Sequence, residues 1–285
     1  MNTPFDDIAL DAKPWLDNMD TTDALPGLET QAEKEAMDAL ITRGRNARPR
    51  RSHLHASAVL KKPLDYYKHP LYCERECVLA QFYTTNEVLH PPKKQMIFDN
   101  GWDVHVRWQE MFKRSGVLRL AEVPFFSMDY HLQFTPDAII DFVGVPHIVE
   151  LKGYNQRAFL KLLKGGIPED AYLQCQLYLH LYRGIDHKPL EDGLIIVECK
   201  DTQEYKMWRI KRNEANVQDI LTRLDSITSW ATVHEETGNL PSGICDSVSC
   251  PQAQACAMRD ACFTSNVARD DMGLESRIPT NAITV

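Results

Sequence analysis

The stretch FTPDAIIDFVGVPHIVELK, from Phe134 to Lys152, constrains the fold more than any other part of the chain. It reads as two short apolar strands joined by a turn that contains Gly144. Side chains alternate along a strand, so Glu150 and Lys152 share one face and Leu151 points the other way. Pairing of the two strands brings Asp137 toward Glu150. Two carboxylates at one sheet edge can hold a hard divalent cation. A Lys beside them can orient an attacking water or neutralise developing charge. A plain hairpin with surface charges would also carry these residues.

The 285 residues suit one large domain with appendages or two small ones. The opening MNTPFDDIALDAK has neither the basic start nor the apolar core of a signal peptide. No apolar run is long enough to span a bilayer, so no membrane is expected, and a cytoplasmic location is. In that compartment the eight cysteines are read as thiols or metal ligands rather than disulfides.

Charge is unevenly spread. Residues 1–40 hold ten Asp and Glu against two Lys, which accounts for the whole net charge of -8. The remainder is neutral, so any nucleic-acid contact depends on local patches.

Residues 1–26 are acidic and interrupted by Pro4, Pro14 and Pro26, as in a tail. Residues 28–43 have helical periodicity closed by Gly44. Five arginines between Arg43 and Arg51 suit a phosphate-contacting arm or a solvated linker. Helices are expected over 71–83, 95–115, 169–183 and 213–232. Strands are expected within 117–134, and a closing hairpin is expected over 193–199 and 204–210. In the second helix Gly101 and His105 lie one turn apart on one face, where Gly lets a backbone or ligand come close. Gln174 and Tyr178 are similarly spaced in the helix over 169–183, with Tyr182 a further turn on. Cys175 and Cys199 sit in apolar runs as core thiols.

The tail carries a second signal. Cys245, Cys250, Cys256 and Cys262 fall within the run CDSVSCPQAQACAMRDACF, spaced x4, x5, x5. Such a cluster points to a metal centre, and four thiolates suit Zn²⁺ or an iron–sulfur cluster equally.

Taken together, residues 53–263 resemble the RecB-like PD-(D/E)XK exonucleases. The likeness is to the iron–sulfur branch that includes CRISPR-associated exonucleases, the nuclease domain of the AddB-type repair subunit, and phage proteins. The matching pieces, in order, are Cys73-Glu-Arg75, Gly101-x-x-x-His105, Pro136-Asp137, Glu150-x-Lys152, Gln174-x-x-x-Tyr178 and the cysteine-rich end. The resemblance implies an α/β fold in which helices flank a mixed central β-sheet. This restriction-endonuclease-like core would carry a Cys-rich C-terminal metal-binding tail. It implies an acidic tail, helix and Arg-rich arm over 1–51, a nuclease core over 52–238 and a metal-cluster segment over 239–285.

By the same resemblance the chain is a divalent-metal-dependent DNA exonuclease of recombination, repair or phage DNA processing. It would work in a bacterial or phage-infected cell beside a recombination or repair protein. Asp137, Glu150, His105 and the Leu151 carbonyl would hold Mg²⁺ or Mn²⁺, with Asp141 in reserve. Lys152 would position the water, and Gln174 and Tyr178 would orient the DNA strand or the lysine. One upstream and three downstream cysteines, carried over as Cys73, Cys250, Cys256 and Cys262, would bind a [4Fe–4S] cluster. The usual Cys-x2-Cys-x5-Cys ending is only half matched here, so Cys245 competes for a place and structural Zn²⁺ stays open. A non-catalytic DNA-binding or assembly protein with a zinc tail, and a restriction-type endonuclease, are the alternatives.

Overall fold

The turn of the expected hairpin sets its register. Val143 and Gly144 both have positive φ, 53° and 76°, as the two central residues of a type I′ hairpin turn must. Gly takes that conformation freely, whereas the β-branched Val143 is strained in it. Its arms pair antiparallel with Ile139 opposite Ile148 and Phe142 opposite Val145.

The structure is a computed structural model and describes residues 31, 35, 37, 53–61, 71–84, 92–183, 189–263, 279 and 281–285. The chain divides into two compact units, Met1–Asn46 and Ala47–Val285. In the first unit Gln31, Glu35 and Met37 are helical, and the Gln31 amide donates to Glu35 Oε1 at 2.8 Å. The acidic segment 1–26, the rest of the helix expected over 28–43, and the Arg-rich stretch 43–51 lie outside the described residues.

In the second unit the chain forms β1 (Leu54–His55), α1 (Ala56–Val59), α2 (Glu74–Phe82) and α3 (Pro92–Arg114). Next come β2 (Leu118–Ala121), β3 (Phe125–Ser127), β4 (Leu132–Phe134), β5 (Ala138–Phe142) and β6 (Val145–Tyr154). Then follow α4 (Gln156–Gly165), α5 (Glu169–Leu181), β7 (Asp192–Cys199) and β8 (Tyr205–Lys211). A 3₁₀ turn (Glu214–Val217), α6 (Gln218–Thr237), α7 (Pro251–Ala255), α8 (Arg259–Phe263) and β9 (Ile283–Thr284) complete it. The architecture is mixed α/β, two mixed sheets flanked by helices. Among the described residues no helix is long and apolar enough to cross a membrane.

The larger sheet has strand order β2-β5-β6-β7-β8. All its pairings are antiparallel except β6 with β7, which run parallel and are joined through α4 and α5. This corrects the expected placing of the hairpin at an edge: β6 is the central strand. A parallel neighbour needs a long crossover, and the helical segment after Lys152 supplies it. The smaller sheet, β1-β4-β3-β9, packs its aromatic residues Phe125 and Phe134 into the main core.

Strand alternation divides the core in two. Ile139, Ile148, Ile195 and Val197 join the main cluster with α5. Ile140, Val149, Leu151 and Ile196 form a second cluster against Phe112 of α3. Leu151 is fully buried there, a burial worth about 2 kcal/mol. Helix α3 comes close to the central strand at Gly153, where an added Cβ would lie 2.9 Å from Val104 Cγ2.

Candidate active site

Five elements bring polar side chains to one end of the hairpin. Asp137 stands just before β5, one residue ahead of the Ala138–Val149 pair. By alternation it faces the same side as Ile139, and so do Glu150 and Lys152 on β6. Glu150 is fully buried, and the Lys152 ammonium donates to its Oε1. The other oxygen, Oε2, is buried and has no hydrogen-bond partner among the described residues. An orphaned carboxylate oxygen costs free energy unless a cation or proton meets it. Leu151 N–H donates to Asp137 Oδ2 at 2.6 Å and so ties the two strands together at the site.

Helix α3 adds His105 from above. Its Nδ1 lies 3.4 Å from Asp137 Oδ1 and 3.4 Å from Glu122 Oε1. One turn further along α3, the Gln109 amide donates to Glu122 Oε1 and to the Asp137 carbonyl, both at 2.9 Å. Glu122 follows β2 with φ of 51°, a left-handed conformation that costs a non-glycine residue about 1 kcal/mol or more. Its carboxylate is held in place by Gln109. His105, Glu122 and Asp137 thereby offer ligand atoms that all lie within 4.8 Å of one another. One imidazole nitrogen and two carboxylates at that spacing fit a divalent cation, and Glu150 is near enough to feel the charges of Asp137 and His105.

Helix α5 closes the other side. Gln174 Oε1 accepts from Lys152 Nζ at 3.4 Å, and its amide donates to the buried Tyr178 hydroxyl at 3.0 Å. The lysine head is thus fixed between a carboxylate on its own strand and a helix across the core.

Electrostatics follow from burial. Burial raises Glu150 to about 8, reinforced by the Asp137 charge and opposed by Lys152. Burial also raises Asp137, while His105, Lys152 and the Leu151 N–H pull it back. For Lys152 burial acts downward, but the Glu150 and Asp137 charges outweigh it and leave the ammonium above its usual range. For His105 burial again acts downward, and the Glu122 hydrogen bond with the Asp137 and Glu122 charges reverses it.

A pH dependence follows. Because Glu150 is raised in the fold, its proton stabilises the metal-free protein, and that stability is lost as pH climbs from the usual carboxylate range through about 8. Cation binding needs the carboxylate, so affinity for a divalent cation should rise with pH and level off above about 8. At mildly acidic pH binding should release protons from Glu150 and from His105, whose value is also raised. Calorimetric titration in two buffers of different ionisation enthalpy measures this release. Buffer-independent heats at mildly acidic pH would contradict the assignment.

Some expected placements are corrected. Asp141 lies at the turn end of the hairpin, where it pairs with Arg119 at 2.7 Å, and does not join the cluster. Among the described residues a Cβ added at Gly101 would meet nothing within 4 Å, so no other described element uses the close approach that glycine allows there. Tyr182 packs its ring on Phe125 instead of extending the Gln174–Tyr178 row. Glu122 and Gln109 carried no expected role. A lone acid before Val123-Pro124 gives no periodic signal, although Gln109 falls one helical turn after His105.

A second group of side chains is made of cysteines. Cys73, Cys245, Cys256 and Cys262 line one small recess with apolar neighbours Leu79 and Met258. Cys250 is not on that wall. It is the N-cap of α7, and its Sγ accepts the Ala253 N–H at 3.3 Å. Its thiol also meets that of Cys245, which burial and this contact push up to about 12. Cys175 and Cys199 are fully buried core thiols.

No family model matches the chain, and no curated protein matches it in sequence. Solved structures similar to it include an alkaline exonuclease (LHK-Exo) from Laribacter hongkongensis. That pair is 12% identical over 70% of this chain and 94% of that one, with a TM-score of 0.45. LHK-Exo in complex with dAMP is 14% identical over 71% and 94%, with a TM-score of 0.46. SSO0001 is 13% identical over 68% and 85%, with a TM-score of 0.38. The chemistry therefore has to come from this chain's own residues.

Proposed function

We propose that the protein is a divalent-cation-dependent deoxyribonuclease of the PD-(D/E)XK type that degrades DNA from an end. One observation carries the reading: His105, Glu122 and Asp137 converge on one point beside a buried Glu150 with an orphaned oxygen and a fixed Lys152. His105, Glu122, Asp137 and Glu150 hold the cation, with the Leu151 carbonyl next to them on β6. A cation there lowers the pKa of a bound water and stabilises charge on a phosphodiester. Lys152 stays charged and orients the attacking water, while Gln174 and Tyr178 restrict where its head can lie. Gln109 holds Glu122 in its strained conformation, so the ligand atoms are in place before the ion arrives. A charged lysine held against a buried carboxylate favours catalysis over a binding role, since an unused buried pair is costly.

The DNA backbone has a path away from this point. Helix α4 follows β6 immediately and carries Arg157, Lys161 and Lys164, all exposed, with no acidic residue. Cations on that helix would contact phosphates. In this reading the partner is DNA, with single-stranded or duplex ends, and a recombination or repair protein would work beside it.

The cysteine cavity holds a [4Fe–4S] cluster in this proposal, with Cys73, Cys245, Cys256 and Cys262 as ligands and Cys250 outside the set. Four cysteine side chains lining one recess supply the donor set that such a cluster takes, and the same set would suit structural zinc.

Incubation of end-labelled single- and double-stranded DNA with Mg²⁺, and with EDTA, tests the main reading. Loss of label as mononucleotides or short fragments is expected with Mg²⁺ and none with EDTA. Persistence of all substrates with Mg²⁺ and with Mn²⁺ would reject a nuclease. Accumulation of internal fragments with intact ends would replace end-directed cleavage by endonucleolytic cleavage.

A further inference from the structure

We propose that Trp102 is a stacking platform for an unpaired base of the strand being cut, an assignment that rests on the nuclease reading above. Trp102 sits on α3, three residues before His105, and its ring stacks on the imidazole with centroids 5.9 Å apart and planes 23° apart. The imidazole is a member of the cation-holding cluster, so the indole is continuous with the site of chemistry. About half of Trp102 is nevertheless exposed, at 52%. Phe82, Phe112, Phe125, Phe126, Phe134 and Phe159 are all buried in the core. Tyr205 and Phe263 are exposed as well, but neither stacks on a member of the cation cluster as Trp102 does.

The surroundings of Trp102 say what the platform takes. Among the described residues nothing lies within 4 Å of a Cβ added at Gly101, its neighbour on the helix. Phe98 and Val106 lie one turn to either side of Trp102 and continue an apolar row along this face of α3. Val106 is itself about half exposed. Lys94 stands one turn before Phe98, with its ammonium 5.7 Å from that ring's centroid. The row shares its helix with His105 of the cation cluster and has the Lys94 ammonium at its far end, with Met96 and Ile97 also exposed on that helix. That suits a flat, uncharged ring whose own chain carries phosphate. A nucleobase has a π-face whatever its identity, so stacking here binds without reading sequence. In a duplex both faces of every internal base are already covered, so the platform selects frayed or single-stranded ends. A scissile phosphate near His105 and Asp137 would place the neighbouring base over the indole.

The test compares wild type, Trp102→Ala and Trp102→Phe on single-stranded oligonucleotides. A matched oligonucleotide with abasic sites at the terminal nucleotides is included. Trp102→Ala should raise KM about ten-fold, in the range measured for loss of one base–aromatic stack, with kcat within about two-fold. Trp102→Phe should recover most of the loss. The abasic oligonucleotide should be as poor for wild type as the normal one is for Trp102→Ala, and the variant should lose nothing further on it. The Mg²⁺ concentration for half-maximal rate should stay unchanged, because His105 keeps its Glu122 and Asp137 partners. An unchanged KM for Trp102→Ala overturns the proposal while wild-type cleavage stands. So does a shifted Mg²⁺ requirement with no abasic effect, which would make the indole a support for His105 only. A wild-type protein that cleaves no substrate removes this proposal together with the nuclease reading.

Discussion

Lys152→Ala should slow DNA cleavage by roughly 10²–10³-fold, the loss expected when one positioned donor at a reacting centre is removed. The size follows from where the ammonium sits. It lies against Glu150 and 3.4 Å from Gln174 Oε1. Of the positive groups that act on the Glu150 carboxylate it is the stronger, ahead of His105. Its removal takes away the group that orients water. It also leaves Glu150, already raised to about 8 and so largely protonated at neutral pH, with less to favour the carboxylate that a cation needs. Glu150→Gln separates the two effects. It keeps an acceptor for Lys152 and the shape of the buried side chain, but offers no charge to a cation. A comparable loss of rate is expected, with DNA binding and melting temperature near wild type. Cleavage of end-labelled DNA at saturating Mg²⁺, alongside thermal melts, gives both readings. Either purified variant cutting at the wild-type rate would sink the catalytic assignment.

The second large effect is on stability. Cys256→Ser or Cys262→Ser should strip the metal centre and lower the melting temperature by roughly ten degrees or more. A structural four-thiolate site contributes on the order of 10 kcal/mol of binding free energy, which becomes folding free energy because the unfolded chain has no preformed site. Cys245→Ser should do the same, since its thiol lines the cavity with Cys73. Cys250→Ser should keep the metal and lose only a weak helix cap. Anaerobically purified protein should be brown, with about four irons per chain. Stoichiometric zinc in a colourless anaerobic preparation would reject the cluster while leaving a structural centre. Metal loss in Cys250→Ser with retention in Cys245→Ser would reverse the ligand choice.

Much of the site was legible in the order of residues alone. Alternation along Ile148 to Lys152 is a local property, and it correctly placed Glu150 and Lys152 on one face and Leu151 in the opposite cluster. Periodicity likewise located α3, closed by basic residues and Gly116. The four-residue spacing of Gln174 and Tyr178 predicted a contact that the structure contains. The failures are non-local. Strand order depends on where the parallel partner β7 docks, so no property of residues 134–152 alone could show that the hairpin is central. Glu122 reaches the site through a left-handed turn that its residue type does not advertise. Cys250 matches the expected spacing no worse than Cys245, and only the cavity wall separates them.

That cavity also bears on how the protein is made. Cys73 precedes every strand of the larger sheet, and Cys245, Cys256 and Cys262 follow all of them. A ribosome adding about 5–20 residues per second needs roughly 10–30 s to travel between the two walls. The first wall of the recess is therefore made well before the second, with the whole larger sheet synthesised in between. Under the cluster proposal above, metal loading would close only chains whose synthesis has passed the last cysteine.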